Sequence, residues 1–140
     1  MILLDTNVLS ELMRPQPDPV VVAWVDAHSG EALVSAITQA EISLGISLLP
    51  NGKRRDALAA VARQMLAEDF AGRCLPFDAA AAEHFARLVA ERRRIGRPIA
   101  TQDAQIAAIA LANGMPLATR NSDDFAAIPG LVLVDPWQDL

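Results

Sequence analysis

A chain of 140 residues that is 52% hydrophobic and 21% charged is long enough to bury a sizeable core and too apolar to be a disordered segment. Its net charge of −5 and pI near 4.9 argue against a protein that holds nucleic acid on a basic surface, so the acids either form a solvated exterior or converge on metal ions. The single cysteine, Cys74, excludes a disulfide framework and a cysteine-rich zinc site, and reads as a small core hydrophobe. No apolar run approaches the roughly 18–20 residues that cross a bilayer. With no signal peptide ahead of the first apolar segment, the expected compartment is the cytoplasm.

The first element is an apolar strand, Ile2 to Asp5, that ends on a carboxylate, with Thr6 and Asn7 behind it as hydrogen-bonding groups. A proline-rich connection from Arg14 leads to Asp18-Pro19, an N-cap followed by proline at the first helical position, and a helix from Val20 to His28. Ala32 to Ser35 reads as the second strand. Thr38 then opens a helix through Ile42 and Leu49 that Pro50-Asn51-Gly52 stops. Lys53 to Phe70 reads as one further helix, and Arg73 to Phe77 as a short strand. Asp78 caps an alanine-rich helix ending near Ile95-Gly96, and Thr101 to Ala112 is an apolar helix ending at Asn113-Gly114. Pro116 to Thr119 is the fourth strand, Ser122 to Ala127 a turn or short helix, and Leu131 to Val134 the fifth strand. Strands alternating with helices from end to end predict a single α/β domain spanning 1–140, with a mainly parallel, twisted sheet of about five strands flanked by helices.

In a parallel sheet, strand ends and the N-termini of the following helices share one edge, where ligands bind. Asp5 ends strand one, and Glu41 lies in the first turn of the helix after strand two. Asp103 lies in the first turn of the helix near Thr101, and Asn121 and Asp124 follow strand four. Several carboxylates on one edge repel each other, and a hard divalent cation with oxygen ligands relieves that repulsion. Each acid also has a purely structural reading. Glu41 stands three residues after Thr38, the spacing of a capping box. Asp103 suits the helix dipole, with Thr101 as cap. Asp78 reads as a cap, Asp123 and Asp124 as turn residues, and His28 and His84 lack metal-ligand spacing. Trp24 and Trp137 read as packing groups. The basic clusters, Lys53-Arg54-Arg55 and Arg92-Arg93-Arg94 with Arg97, read as solvated helix ends or as phosphate tracks.

Four segments occur in order: Leu3-Leu4-Asp5-Thr6-Asn7-Val8-Leu9-Ser10-Glu11, Ser35-Ala36-Ile37-Thr38-Gln39-Ala40-Glu41-Ile42, Ile99-Ala100-Thr101-Gln102-Asp103-Ala104-Gln105-Ile106-Ala107-Ala108, and Ala118-Thr119-Arg120-Asn121-Ser122-Asp123-Asp124-Phe125. Together with the tail Val134-Asp135-Pro136-Trp137, they resemble the PIN-domain ribonucleases, specifically the VapC toxins and their FitB-like branch. The likeness covers essentially the whole chain. It implies a PIN-like fold and a toxin of a type II toxin–antitoxin system that hydrolyses RNA phosphodiesters with Mg²⁺, for which Mn²⁺ substitutes. Asp5, Glu41 and Asp103 match the family's catalytic and metal-binding acids, with Thr6, Asn7 and Thr119 as supports. At the fourth acidic position this chain has Asn121, with Asp124 as a nearby substitute. In the implied chemistry the metal lowers the pKa of a bound water, and Arg120 is a candidate contact to the RNA backbone. The implied partners are RNA, a second copy of the chain, and a small DNA-binding antitoxin whose tail blocks the acidic site, with no membrane involved.

Two rivals remain at this stage. A haloacid-dehalogenase-type phosphatase also opens on a strand ending in Asp, but needs a second Asp where this chain has Asn7. A degenerate PIN domain acting only as a binding module would explain Asn121 but not the retention of Asp5, Glu41 and Asp103.

Overall fold

A computed structural model describes residues 1–138. Its elements run β1 (Ile2–Leu4), α1 (Thr6–Leu12), α2 (Pro19–Ala27), β2 (Ala32–Ser35), α3 (Ala36–Ser47), α4 (Lys53–Gln64), β3 (Cys74–Leu75), α5 (Ala79–Arg94), α6 (Thr101–Ala112), β4 (Leu117–Ala118) and β5 (Leu133–Val134). The five strands form a parallel sheet in the order β3-β2-β1-β4-β5. Chain order reverses direction across the β1–β4 pair, so the crevice at their carboxyl ends is the topological switch point where such sheets bind ligands. The register places Leu4 beside Ala118, and the Asp5 amide donates to the Ala118 carbonyl at 2.9 Å.

Both sheet faces are buried, as a parallel sheet requires. Successive side chains of β1 alternate between them. Leu3 joins the fully buried Ile106, Ile109, Leu117 and Phe125 on one side, while Ile2 and Leu4 join Val8, Val21, Trp24 and Ile42 on the other. The two long helices on the first side, α5 and α6, both end in Schellman turns on a glycine with positive φ, Gly96 (73°) and Gly114 (62°). After α5, for example, the Gly96 amide donates to the Arg93 carbonyl at 3.1 Å and the Arg97 amide to the Arg92 carbonyl at 2.8 Å. No helix among the described residues is long and apolar enough to cross a membrane.

Several expectations need correcting. The stretch Thr6–Leu12, which had no predicted element, is a helix capped by Asp5. Ser35, not Thr38, caps α3: its hydroxyl accepts from the Thr38 amide at 3.1 Å, so Glu41 lies in the second helical turn and forms no capping box. Thr101 is not a cap either; Ala100 occupies that position and makes no side-chain bond. The helix from Lys53 widens into a π turn at Met65–Asp69, closed by the Phe70 amide on the Met65 carbonyl at 2.9 Å. Cys74 is exposed rather than core, because β3 is a two-residue edge strand. Ser122 to Ala127 forms turns, with the Asp124 amide on the Asn121 carbonyl at 3.0 Å. Asp18 and Asp78 do cap their helices. His28 is satisfied locally, stacked on Trp24 with Nδ1 2.7 Å from the Trp24 carbonyl.

Arg92 departs furthest from its sequence reading. It is neither solvated nor a phosphate track but 4% exposed. Its guanidinium donates to the carbonyls of Arg97 (2.6 Å), Asp124 (2.9 Å) and Ala126 (3.0 Å), tying the end of α5 to the loop after β4. Arg92→Met removes a buried charged donor from three backbone carbonyls and is expected to destabilise the fold by about 3 kcal/mol. An unshifted urea unfolding midpoint would contradict this account.

Candidate active site

The candidate site is built on Thr119. This residue follows β4 directly, is fully buried, and uses its hydroxyl in three ways. Its Oγ1 donates to Asp5 Oδ2 at 2.7 Å and accepts from Asn7 Nδ2 at 3.2 Å and from the Asn121 amide at 3.0 Å. The other Asp5 oxygen, Oδ1, accepts from the Thr6 amide at 2.8 Å. Asp5 is thus an N-cap and a member of a cross-strand network, held in one orientation at the switch point.

Glu41 reaches the same edge from α3. Thr6 Oγ1 donates to its Oε1 at 2.9 Å and lies 2.9 Å from Thr38 Oγ1, which also contacts Ser35. The helix cap of α3 therefore continues, through Thr38 and Thr6, into the orientation of a candidate catalytic acid. Thr38 was missed as a support; its only sequence signal was its spacing three residues after Ser35.

Asp103 stands in the first turn of α6 and lines a cavity of about 540 Å³ with Asp5, Glu41, Arg120, Asn121 and Trp137. Its carboxyl is pushed up to about 6, first by burial and then by the charges of Asp5, Asp124 and Glu41. Asp5 is raised as well, chiefly by burial, with Glu41 and Asp124 adding repulsion against the lowering effect of its Thr119 and Thr6 hydrogen bonds. Of the two residues considered for the fourth acidic position, Asp124 contributes its charge to both carboxyls, whereas Asn121 lines the cavity and adds none.

A fifth acid, Glu11, borders this cavity without sharing its repulsion. It is buried, its carboxylate accepts from the Asp18 amide at 2.9 Å and from Arg14 at 3.1 Å, and its pKa is held below the usual carboxylate range by those bonds and by the Arg14 and Arg120 charges. Sequence reasoning gave it no role, since its partners become visible only when the chain from Arg14 to Asp18 folds back on α1.

The donor set suits a hard cation. All the converging acids offer oxygen, and the repulsion that adds to burial in lifting Asp103 is what a divalent charge would relieve. Among the described residues, no three His, Cys, Asp or Glu side chains are grouped closely enough to enclose an ion.

Residues 2–131 match the sequence profile of the PIN domain. The chain belongs to the PIN domain family. Among relatives of this PIN domain, the toxin FitB of Neisseria gonorrhoeae is 44% identical over 140 residues, covering 99% of this chain and 100% of FitB. The VapC ribonuclease Y4jK of Sinorhizobium fredii is 43% identical over 139 residues, with 99% of each chain covered. In the crystal structure of FitAcB from Neisseria gonorrhoeae, one chain superimposes with a TM-score of 0.90 at 42% identity, covering 99% of this chain and 100% of that one. The similarity thus extends over the PIN domain's whole sheet, including the β1–β4 crevice that carries Asp5.

Proposed function

We propose that this chain, as one PIN domain, is the toxin of a toxin–antitoxin pair and acts as an endoribonuclease dependent on Mg²⁺, with Mn²⁺ as substitute. The observation that carries the reading is the convergence of Asp5, Glu41 and Asp103 on one cavity at the switch point, where burial, reinforced by the neighbouring carboxylates, lifts the Asp103 carboxyl to about 6. The ribonuclease name of the Sinorhizobium relative and the toxin name of the Neisseria relative support it.

A bound divalent ion supplies Lewis acidity and lowers the pKa of water in its shell. The chain's own residues do the rest. Asp5 and Asp103 would hold the ion, with Asp5 fixed in orientation by Thr119 and Thr6. Glu41, steadied by Thr6, would join them as a ligand or orient the attacking water. Asn7 holds Thr119 in place and adds no acid, which leaves the phosphatase rival without its second carboxylate. No side-chain nucleophile is required. Purified protein freed of any partner is expected to cut RNA when Mg²⁺ or Mn²⁺ is present and to stop on chelation. Cleavage that continues at the same rate in excess chelator would reject the assignment.

The antitoxin partner follows from the toxin assignment, because a cell carrying such a nuclease needs it blocked. Beside Glu41 opens an apolar cavity of about 580 Å³ between α1, α3 and α4, lined by Met13, Ile42, Ile46, Leu49 and Leu58. A tail seated there would reach Glu41 and Thr6 directly. The outer face of α3 leaves Leu44 and Leu48 60% and 75% exposed, which supports the homodimer reading. The cytoplasm remains the proposed compartment.

A further inference from the structure

We propose that a second site, at the opposite edge of the sheet from the acidic crevice, binds a free α-amino acid with an apolar side chain. The proposal stands independently of the ribonuclease reading.

The site is a cavity of about 530 Å³ at the amino ends of β2 and β3, where Ala32 and Arg73 line it. The ends of α1, α2 and α4 border it. Leu12, Val25, Met65 and Phe70 form an apolar floor, in which Met65 and Phe70 are 5% and 6% exposed. The π turn builds this floor, because its closing bond from the Phe70 amide to the Met65 carbonyl joins the two buried floor residues. Turns of this kind depart from regular helix geometry and recur at functional sites.

Three charged residues line the same cavity: Asp26, Asp69 and Arg73. Among the described residues, none of these side chains has an ion-pair or hydrogen-bond partner. The helices give the two acids no structural reason to be there. Asp26 stands in the last turn of α2 and Asp69 at the end of the π turn, where unpaired carbonyls already carry negative charge and an acid is unfavourable. The Arg73 backbone is held on both sides: its amide donates to the Phe70 carbonyl at 2.9 Å, and its carbonyl accepts from the Val34 amide at 3.0 Å.

This lining selects a ligand chemistry. Two acids against one arginine leave the cavity negative, so a phosphate-bearing ligand is repelled. A simple cation would face Arg73, and an uncharged apolar molecule would leave all three charges unmatched. An apolar amino acid matches each part. Its carboxylate takes two donors of the Arg73 guanidinium, its ammonium falls to Asp26 and Asp69, and its side chain covers the floor. The volume lies within the range of small-molecule sites, about 300–1,000 Å³.

The test measures binding to the full chain by calorimetry in chelator, with leucine, methionine and phenylalanine as probes. Saturable binding is expected, and the tightest of the three is compared with its amide, which lacks the carboxylate, and its deaminated acid, which lacks the ammonium. Each analogue should bind about 10-fold more weakly or worse, the value of a charged hydrogen-bonding group. Arg73→Gln should weaken the amino acid by a similar factor and leave the amide unchanged. The Asp26→Asn, Asp69→Asn double variant should weaken the amino acid and leave the deaminated acid no weaker. Pairing each variant with the analogue that lacks its partner separates a lost contact from a damaged fold. Absence of binding by all three amino acids up to about 10 mM would overturn the proposal. So would an analogue that binds as tightly as its parent, which would mark a merely apolar hollow. Neither result bears on RNA cleavage, so the ribonuclease reading stands or falls separately.

Discussion

Asp5→Asn is expected to lose about 100-fold or more in RNA cleavage without losing the fold. Replacing groups that merely orient metal ligands typically costs about 10–100-fold in affinity or activity. Asp5 is the carboxylate that Thr119, Asn7 and Thr6 are arranged to orient, so its loss should meet or exceed the upper end of that range. The amide is nearly isosteric, and burial at 4% exposure keeps it in the same place. Its chemistry differs, however. Thr119 Oγ1 donates to Asp5 Oδ2 while already accepting from Asn7 and the Asn121 amide, so an NH₂ turned toward it would find no free lone pair. The amide oxygen must take that bond, which turns the NH₂ onto the Thr6 amide and displaces the local cap. Initial rates with Mn²⁺ and calorimetric metal affinity both read the effect. A variant with wild-type rate and affinity would remove Asp5 from the centre of the mechanism.

The second expectation concerns Asp103 and runs against the usual behaviour of a carboxylate. Its pKa is about 6 in the fold against an ordinary 3.8, so between those values the folded chain holds a proton that the unfolded chain has released. Folding stability contributed by this group therefore rises as pH falls through 6, and the gain is complete only below 3.8. Asp5, also raised, acts in the same direction, whereas Glu11, lowered below 4.5, begins to lose its contribution as pH approaches that value. In chelator, the unfolding temperature should thus be higher near about pH 5 than near about pH 7.5, by about 2–4 °C once the partial exposure of Asp103 is allowed for. Divalent metal should reverse the trend, because the ion competes with the proton for the same oxygens. Asp103→Asn should raise the metal-free unfolding temperature at neutral pH and weaken the pH trend, leaving the part due to Asp5, while removing metal binding, a trade of function for stability. An Asp103→Asn protein as sensitive to pH as the unmodified chain would sink the explanation.

Asp5, Glu41, Asp103 and the alternation of strand and helix were legible in the sequence because each has a local signature: an apolar run ending in an acid, or an acid a few residues into an apolar helix. What was missed depends on contacts between distant segments. The helix Thr6–Leu12 is seven residues long, too short for its apolar spacing to declare a period. Thr38 resembled the start of a helix until Ser35 proved to hold that position, and only the approach of Thr6 gives its hydroxyl a role. Arg92 sits in a run of three arginines that reads as a solvated end; its burial is set by carbonyls 32 and 34 residues further on. Spacing alone does not separate Asn121 from Asp124, because the turn that starts at Asn121 leaves Asn121 lining the cavity while the charge of Asp124 still reaches Asp5 and Asp103.

The bond between Asp5 and Thr119 spans 114 residues, and β1 has β4 as one of its two neighbours in the sheet. At synthesis rates of about 5–20 residues per second, the partner of Asp5 is therefore translated roughly 6–23 s after Asp5 itself. During that interval the emerging chain has its first candidate acid but neither the hydroxyl that orients it nor, for most of the time, Asp103. A chain assembled in this order has no complete acidic crevice until its last quarter is in place.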